Sequence, residues 1–300
     1  MIDFRLLVKA GVHFGHQKMR WCPKMEQYIW GYKNNVYLID VSKTASQLEK
    51  ASLFLHDIAS QGKSILWVGT KKAARDIIQE TATGLGMPYV VHRWIGGTLS
   101  NNSQVKKSVT KLLHYEDILA KTDSFSHHTK KELNVFKKMV DRLAKNIGGI
   151  CTLGWPGGGV VFFDGRKRHS ALKEASRMGV SVVSIVDTNS DPSLVDYVIP
   201  ANDDAPRSIK VLTDYLAESV SEGKKKAAAR KVEQAAERKV KAGSEKTEKQ
   251  LMQEAAVAAM LREDEDAPAS SKQPAHRQAR PADRGGQRSG AGRAPFKGKK

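Results

Sequence analysis

Short apolar runs and longer stretches of helical spacing alternate along this chain. Ile65-Leu66-Trp67-Val68, Tyr89-Val90-Val91 and Val160-Val161-Phe162-Phe163 are unbroken apolar runs, and Ser181 to Val186 is a mostly apolar one. Such runs predict strands covered on both faces. Tyr37-Leu38-Ile39 reads as a first strand and Tyr197-Val198-Ile199 as a last one. Between them, Ala45, Leu48, Leu55 and Ile58 recur at helical spacing behind Ser42, a plausible N-cap. Further helices are expected from Gly69 to about Thr83, from Ser170 to Met178, and from Ser208 to about Glu222. A short helix over residues 2–10 would turn Leu6 and Leu7 inward and end at Gly11. Strand, helix and strand at this spacing form right-handed βαβ units, so the pattern predicts a doubly wound α/β body.

The rhythm changes after Asn102. Val105, Val109, Leu112 and Leu119 keep one helical face, with Lys106, Lys107 and Lys111 among them. Thr129-Lys130-Lys131-Glu132 has the form of a capping box. Leu133, Phe136, Val140, Leu143 and Ile147 then follow in three- and four-residue steps, a coiled-coil seam. The expected organisation is a body over residues 1–103 and 148–222 with an antiparallel coiled-coil hairpin over 104–147. Residues 223–266, rich in Ala, Lys and Glu, are expected to form a charged helical extension. Residues 267–300, with almost no large apolar groups, are expected to be a disordered basic tail.

Charge narrows the choice of partner. The net charge is +18 over 300 residues, with +8 on residues 1–222 and +10 on residues 223–300. A basic body with a more basic tail points to a polyanion, most commonly nucleic acid. No apolar run is long enough to span a membrane and no secretory leader is visible, so a cytoplasmic protein is expected. Cys22 and Cys151 lie far apart and read as free thiols.

Two stretches mix cations, rings and bendable backbone. The first, His13 to Lys24, has neither helical nor alternating period and reads as an ordered loop. It holds His13, His16, Lys18, Arg20, Trp21 and Lys24. The second is His92 to Asn102, with Arg93, Trp94, Gly96, Gly97, Asn101 and Asn102. Arg93 beside Trp94 offers a donor fork next to a stacking surface, which suits phosphates and exposed bases. Asn101 and Asn102 could cap the next helix or meet sugar and base edges. Each stretch alone could equally be a buried Trp or a satisfied His anchoring a turn. Together with the lysine-bearing hairpin and the tail, they favour RNA over duplex DNA, for which no recognition helix is present.

Other chemistry is less well supported. A doubly wound body commonly binds nucleotides at its strand ends, so a nucleotide-binding enzyme is the rival reading. No GxGxxG follows a strand, and Gly62-Lys63-Ser64 precedes its strand, the wrong order for a phosphate loop. Gly69-Thr70-Lys71-Lys72 follows a strand and could hold a phosphate. His13, His16 and Cys22 could ligate a metal, but the spacing matches no common zinc site. Asp187, Asp191, Asp203 and Asp204 could bind Mg²⁺, act as acid and base, or simply cap turns. No catalytic residue, cofactor or metal is assigned.

The same stretches carry a family resemblance. Gly11-Val12-His13-Phe14-Gly15-His16-Gln17 with Trp21 and Pro23-Lys24-Met25 resembles the N-terminal motif of the bacterial small-subunit ribosomal protein two family. Trp67-Val68-Gly69-Thr70-Lys71, His92 to Asn101, Ile185 to Pro192, and Ile199 to Ala205 resemble its later motifs, in order, between about residues 2 and 222. The resemblance implies a flavodoxin-like body, a five-stranded parallel sheet with an inserted coiled coil, and no catalysis. It implies contacts to small-subunit ribosomal RNA and to neighbouring ribosomal proteins, including docking of ribosomal protein one. Homo-oligomers are not expected. In that reading Arg20, Lys24, Arg93, Lys106 and Lys107 neutralise phosphates. His16, Trp21 and Trp94 stack on RNA, and Gly96 and Gly97 allow close approach. Cys22, the segment Trp155 to Gly159 and the tail depart from the family pattern.

Overall fold

The computed structural model describes residues 2–121, 129–154, 157–164 and 169–263, with side chains described through Glu233 and at Met252. In chain order the elements begin with α1 (Phe4–Lys9), β1 (Phe14–Gln17), β2 (Ile29–Lys33), β3 (Val36–Ile39), α2 (Val41–Ser60) and β4 (Ile65–Val68). Next come α3 (Arg75–Leu85), β5 (Tyr89–Val90), α4 (Asn102–Ala120), α5 (Lys130–Ile147) and β6 (Gly159–Phe162). The chain closes with α6 (His169–Arg177), β7 (Val182–Val186), β8 (Tyr197–Pro200) and α7 (Pro206–Glu263). Residues 1–238 form one compact unit and residues 239–300 a second, whose described part is the end of α7.

β4 to β8 form a single sheet, ordered β5-β4-β6-β7-β8, with every neighbouring pair parallel. Counted along the chain this is the order second, first, third, fourth, fifth, the flavodoxin-like arrangement. Successive strand residues point to opposite faces. Trp67, Val161, Phe163, Val183 and Ile185 share one core with Leu48 and Leu55 of α2, Ile78 of α3 and Leu212 and Leu216 of α7. Leu66, Val68, Val160, Phe162 and Val182 share the other with Leu172 and Ala175 of α6, and with Trp94 and Leu99. Helices on both faces account for the uninterrupted apolar runs.

The N-terminal segment departs from the sequence reading. Tyr37-Leu38-Ile39 is not a strand of the parallel sheet. As β3 it is the centre of a separate antiparallel sheet ordered β1-β3-β2. The stretch read as an ordered loop contains β1 and two 3₁₀ turns, Lys18–Arg20 and Pro23–Tyr28. Asn34 and Asn35 turn β2 into β3 with φ of 48° and 61°. Two successive left-handed residues are the mark of a type I′ hairpin turn, for which Asn is well suited. In α1 only Leu7 is buried, while Leu6 is 47% exposed.

One further correction concerns a helix. The body was expected to close near Glu222, but α7 runs unbroken through Gly223. A Cβ on Gly223 would lie 2.5 Å from the His56 carbonyl and 2.8 Å from Ala59 Cβ. Gly223 is thus a place where α7 presses against α2, not a stop. α4 and α5 pack on each other, with Tyr115 and Phe136 stacked at 5.4 Å. Thr129 and Glu132 make the reciprocal capping box at the start of α5. The expected polar connection over 122–128, part of the Trp155–Gly159 turn and the expected disordered tail lie outside the described residues.

Candidate functional site

The first candidate stretch is sutured to the carboxyl ends of β7 and β8. His16 N–H donates to Thr188 Oγ1 at 2.8 Å, and Cys22 N–H donates to the Thr188 carbonyl at 2.7 Å. Asn202 donates from its backbone to the Val12 carbonyl at 3.0 Å and from its side chain to the Gly11 carbonyl at 3.1 Å. The approach needs glycine, because a Cβ on Gly15 would sit 2.6 Å from Thr188 Cγ2. Three motifs separated by up to 191 residues in sequence therefore become one surface.

At its centre lies an ionic cluster. His16 Nδ1 is 3.1 Å from Asp187 Oδ1, and Nε2 is 3.2 Å from Asp204 Oδ2. Lys71 Nζ is 2.6 Å from Asp203 Oδ1 and 2.8 Å from Asp204 Oδ1. Asp187 and Asp203 are fully buried. The hydrogen bond to Asp187 holds His16 above its ordinary pKa against the opposing effect of burial. Burial, reinforced by the nearby Asp187 charge, pushes Asp203 up to about 7. Burial works to lower Lys71, but Asp203 and Asp204 outweigh it and hold the ammonium above its usual value.

This cluster redirects two expectations. Lys71 does not wait for a phosphate: it is engaged by two carboxylates. Gly69 is not a phosphate-cradling glycine either, since a Cβ there would overlap Ile78 Cδ1 of α3. His16 is not a surface stacking ring but a bridge between carboxylates, and it does not pair with His13 or Cys22. His13 instead packs its ring on Phe14 at 4.1 Å, and burial lowers its pKa. Asp191 caps the turn Pro192–Leu194 through Ser193 N–H.

The second stretch follows β5, the edge strand on the far side of the sheet. Its organiser is a carboxylate the sequence reading passed over, Glu174 of α6. Glu174 Oε2 accepts from Trp94 Nε1 at 3.0 Å and from Gly97 N–H at 3.3 Å. Its Oε1 accepts from Leu99 N–H and Ser100 N–H, both at 2.9 Å, and from Ser100 Oγ at 3.0 Å. Burial alone would raise the Glu174 pKa, but these donors outweigh it and hold the carboxyl below its usual range. Gly97 has φ +92°, a left-handed turn that a side chain would strain.

Trp94 must be corrected. It is 6% exposed and packs 5.9 Å from Phe162 in the second core. Its ring is an anchor, not a platform for RNA. Asn101 occupies the N-cap of α4 without a side-chain capping bond; its Oδ1 accepts from Ser103 Oγ. Asn102 is the first residue of α4 and half-buried, and Gly96 is exposed.

The expected cations divide into two groups. Lys24 donates to Asp191 Oδ2 and Ser193 Oγ, both at 2.8 Å, so its charge is largely spent within the chain. Asp191 is correspondingly held down to about 2, with the Lys24 hydrogen bond the main cause. Lys18, Arg20, Arg93, Lys106 and Lys107 are exposed, and none forms an ion pair among the described residues. Both stretches emerge at the carboxyl end of the sheet, but β5 and β7 are three strand spacings apart, about 14 Å. They flank the strand ends rather than touching. Glu174 carries no signal in the sequence because it acts on partners more than 70 residues away, and distance likewise hides the roles of Thr188 and Lys71.

Among the described residues no group of three or more His, Cys, Asp or Glu is arranged to hold a metal ion, and no helix is long and apolar enough to cross a membrane. Comparison with known proteins gives this geometry a context. Residues 7–223 match the family described as ribosomal protein S2. The small ribosomal subunit protein uS2 of Micrococcus luteus is 43% identical over 223 residues, covering 74% of this chain and 78% of that protein. The protein of the same name from Renibacterium salmoninarum is 41% identical over 223 residues, covering 74% and 76%. The matched span takes in the parallel sheet, both motif-bearing stretches and the ionic cluster around His16 and Lys71, and on that basis the chain belongs to the ribosomal protein S2 family.

Proposed function

We propose that this protein is a structural component of the small ribosomal subunit, that it grips ribosomal RNA, and that it helps dock ribosomal protein one. Its place of work is the cytoplasmic ribosome. The observation that carries the RNA reading is the set of five exposed cations, Lys18, Arg20, Arg93, Lys106 and Lys107, without carboxylate partners among the described residues. Lys18 and Arg20 follow the segment tied to Thr188, Arg93 adjoins Trp94, which is tied to Glu174, and Lys106 and Lys107 lie on α4, so little backbone ordering remains when a phosphate binds. Lys106 and Lys107 also lie within the first two turns of α4, whose N-terminus favours anions.

Docking of a protein neighbour is supported by a separate surface. Phe14 and Trp30 of the N-terminal sheet are 50% and 75% exposed, and Val8 of α1 is 49% exposed. Val8, His13, Trp30 and Leu38 line a shallow apolar depression. An apolar patch with a polar rim suits a protein contact more than RNA.

Sucrose-gradient sedimentation of the full chain with small subunits depleted of it tests the main reading. The chain is expected to travel with the subunit and to be released as salt rises. A chain that stays at the top of the gradient at low salt would overturn it.

A further inference from the structure

The N-terminal sheet carries a cleft of about 540 Å³ lined by Gln17, Lys18, Met19, Trp21, Tyr32 and Asn35. That volume lies within the span of small-ligand sites, about 300–1,000 Å³. Trp21 lies 5.1 Å from Tyr37, and Tyr37 lies 5.5 Å from Tyr32, so three rings run in a row beside the cleft. Tyr32 is 48% exposed and Met19 97% exposed. Lys18 Nζ stands 5.8 Å from the Tyr32 ring centre.

Two features make this a built site. Asn34 and Asn35 hold the left-handed hairpin turn at the rim. Tyr32 Oη donates to Asn35 Oδ1 at 2.5 Å, which fixes the ring and leaves the amide N–H groups of Asn35 to donate elsewhere. No carboxylate lines the cleft, and Lys18, Arg20 and Lys33 lie on the segments that form it.

We propose that this cleft takes one unpaired RNA nucleotide, its base stacked on Tyr32 and Trp21 and its phosphate beside Lys18. This rests on the reading of the chain as an RNA-binding protein and goes beyond it by naming a base pocket. Stacking on tyrosine and tryptophan faces is how single-stranded bases are held without sequence preference. Gln17 and Asn35 supply the donor and acceptor edges such a base would meet. A proline-rich peptide could also use an aromatic groove, but a cation-flanked cleft without acidic lining favours the nucleotide.

The test uses the full chain, a fluorescently labelled ten-residue oligoadenylate RNA, and anisotropy titrations over a salt series. Tyr32→Ala and Tyr32→Leu are each expected to weaken binding by about 5- to 150-fold with little change in salt slope, the loss typical of one stacked base. Tyr32→Phe, which keeps the ring, is expected to stay within about threefold, less than one stacked base is worth. Arg93→Ala should instead lower the slope. If wild type and Tyr32→Leu bind the oligomer equally, the pocket is refuted while salt-sensitive binding to subunits still stands. If the wild-type chain sediments with subunits yet ignores the oligomer, the pocket is likewise refuted. If it binds neither, both readings fall. Tyr32-dependent binding of a proline-rich peptide, with oligoadenylate binding unaffected by Tyr32→Leu, would reassign the cleft to a protein.

Discussion

Glu174 shows what a single side chain settles here. Five donors from one loop converge on its two oxygens, and Trp94 contributes one of them. Glu174→Ala leaves several of these donors unpaired and partly buried, so it should cost about 2–4 kcal/mol in urea unfolding. Glu174→Gln, which accepts through one oxygen only, should cost less. Because the donors depress the Glu174 pKa, its share of stability is present above the ordinary glutamate value and is lost as pH falls through the depressed one. His16 and Asp203 act in the opposite sense. Both are raised in the folded state, so the folded chain holds protons that the unfolded chain releases. The Asp203 share is full below pH 3.8 and declines up to about 7; the His16 share is full below 6.5 and declines above it. Urea midpoints should therefore show His16→Gln losing about 1–2 kcal/mol at pH 6, the worth of a charge-assisted hydrogen bond, and clearly less at pH 8.5. Equal losses at both pH values would show that the imidazole is neutral in the folded chain. Asp203→Asn, which mimics the protonated carboxyl, should flatten the decline between pH 4 and 7.

At the scale of elements, two glycines mark where helices meet the rest of the body. Replacing Gly by Ala within a helix usually stabilises it by about 1 kcal/mol. At Gly223 the sign should reverse, since the added methyl meets the His56 carbonyl of α2, and a loss of about 1–3 kcal/mol is expected by thermal or urea unfolding. Gly69→Ala should be destabilising to a similar degree, and Ile78→Val, which removes the overlapping Cδ1, should recover part of that loss in a double-mutant cycle. These glycines also show where sequence reading works and where it stops. The five parallel strands were legible because each is a short apolar run between helical spacings, and both sheet faces need such residues. The capping box at Thr129 was legible because its partners are three residues apart. The composition shift at Gly223 reads as a division between a body helix and a separate helical extension, whereas α7 runs through it, pressed there against α2. Tyr37-Leu38-Ile39 was legible as a strand but not in its pairing, since its partners β1 and β2 carry no alternating pattern. In the candidate site the exposed cations were legible as residue types. What was hidden is which are spent internally: Lys24 and Lys71 look like Arg93 in sequence but meet Asp191, and Asp203 with Asp204, across the fold.

For the molecule as a whole, that distinction decides how binding to the subunit should respond to salt. A cation that neutralises a phosphate releases counterions, and removing it lowers the slope of log affinity against log salt by about 0.7–0.9. A cation already paired with a carboxylate releases few, because the carboxylate has done the neutralising. Arg93→Ala and the paired change Lys106→Ala with Lys107→Ala should therefore each weaken binding and flatten the slope, the double change by roughly twice as much. Lys24→Ala should behave differently. It exposes Asp191 and adds a negative charge to the surface, so affinity should fall while the slope changes by well under one contact's worth. The measurement is subunit binding of the full chain from about 50 to 200 mM salt, the range over which phosphate contacts dominate. If Lys24→Ala flattened the slope as much as Arg93→Ala, the Lys24–Asp191 pair would have to open on binding, and the N-terminal stretch would meet RNA in a different arrangement from the one that holds the free chain together.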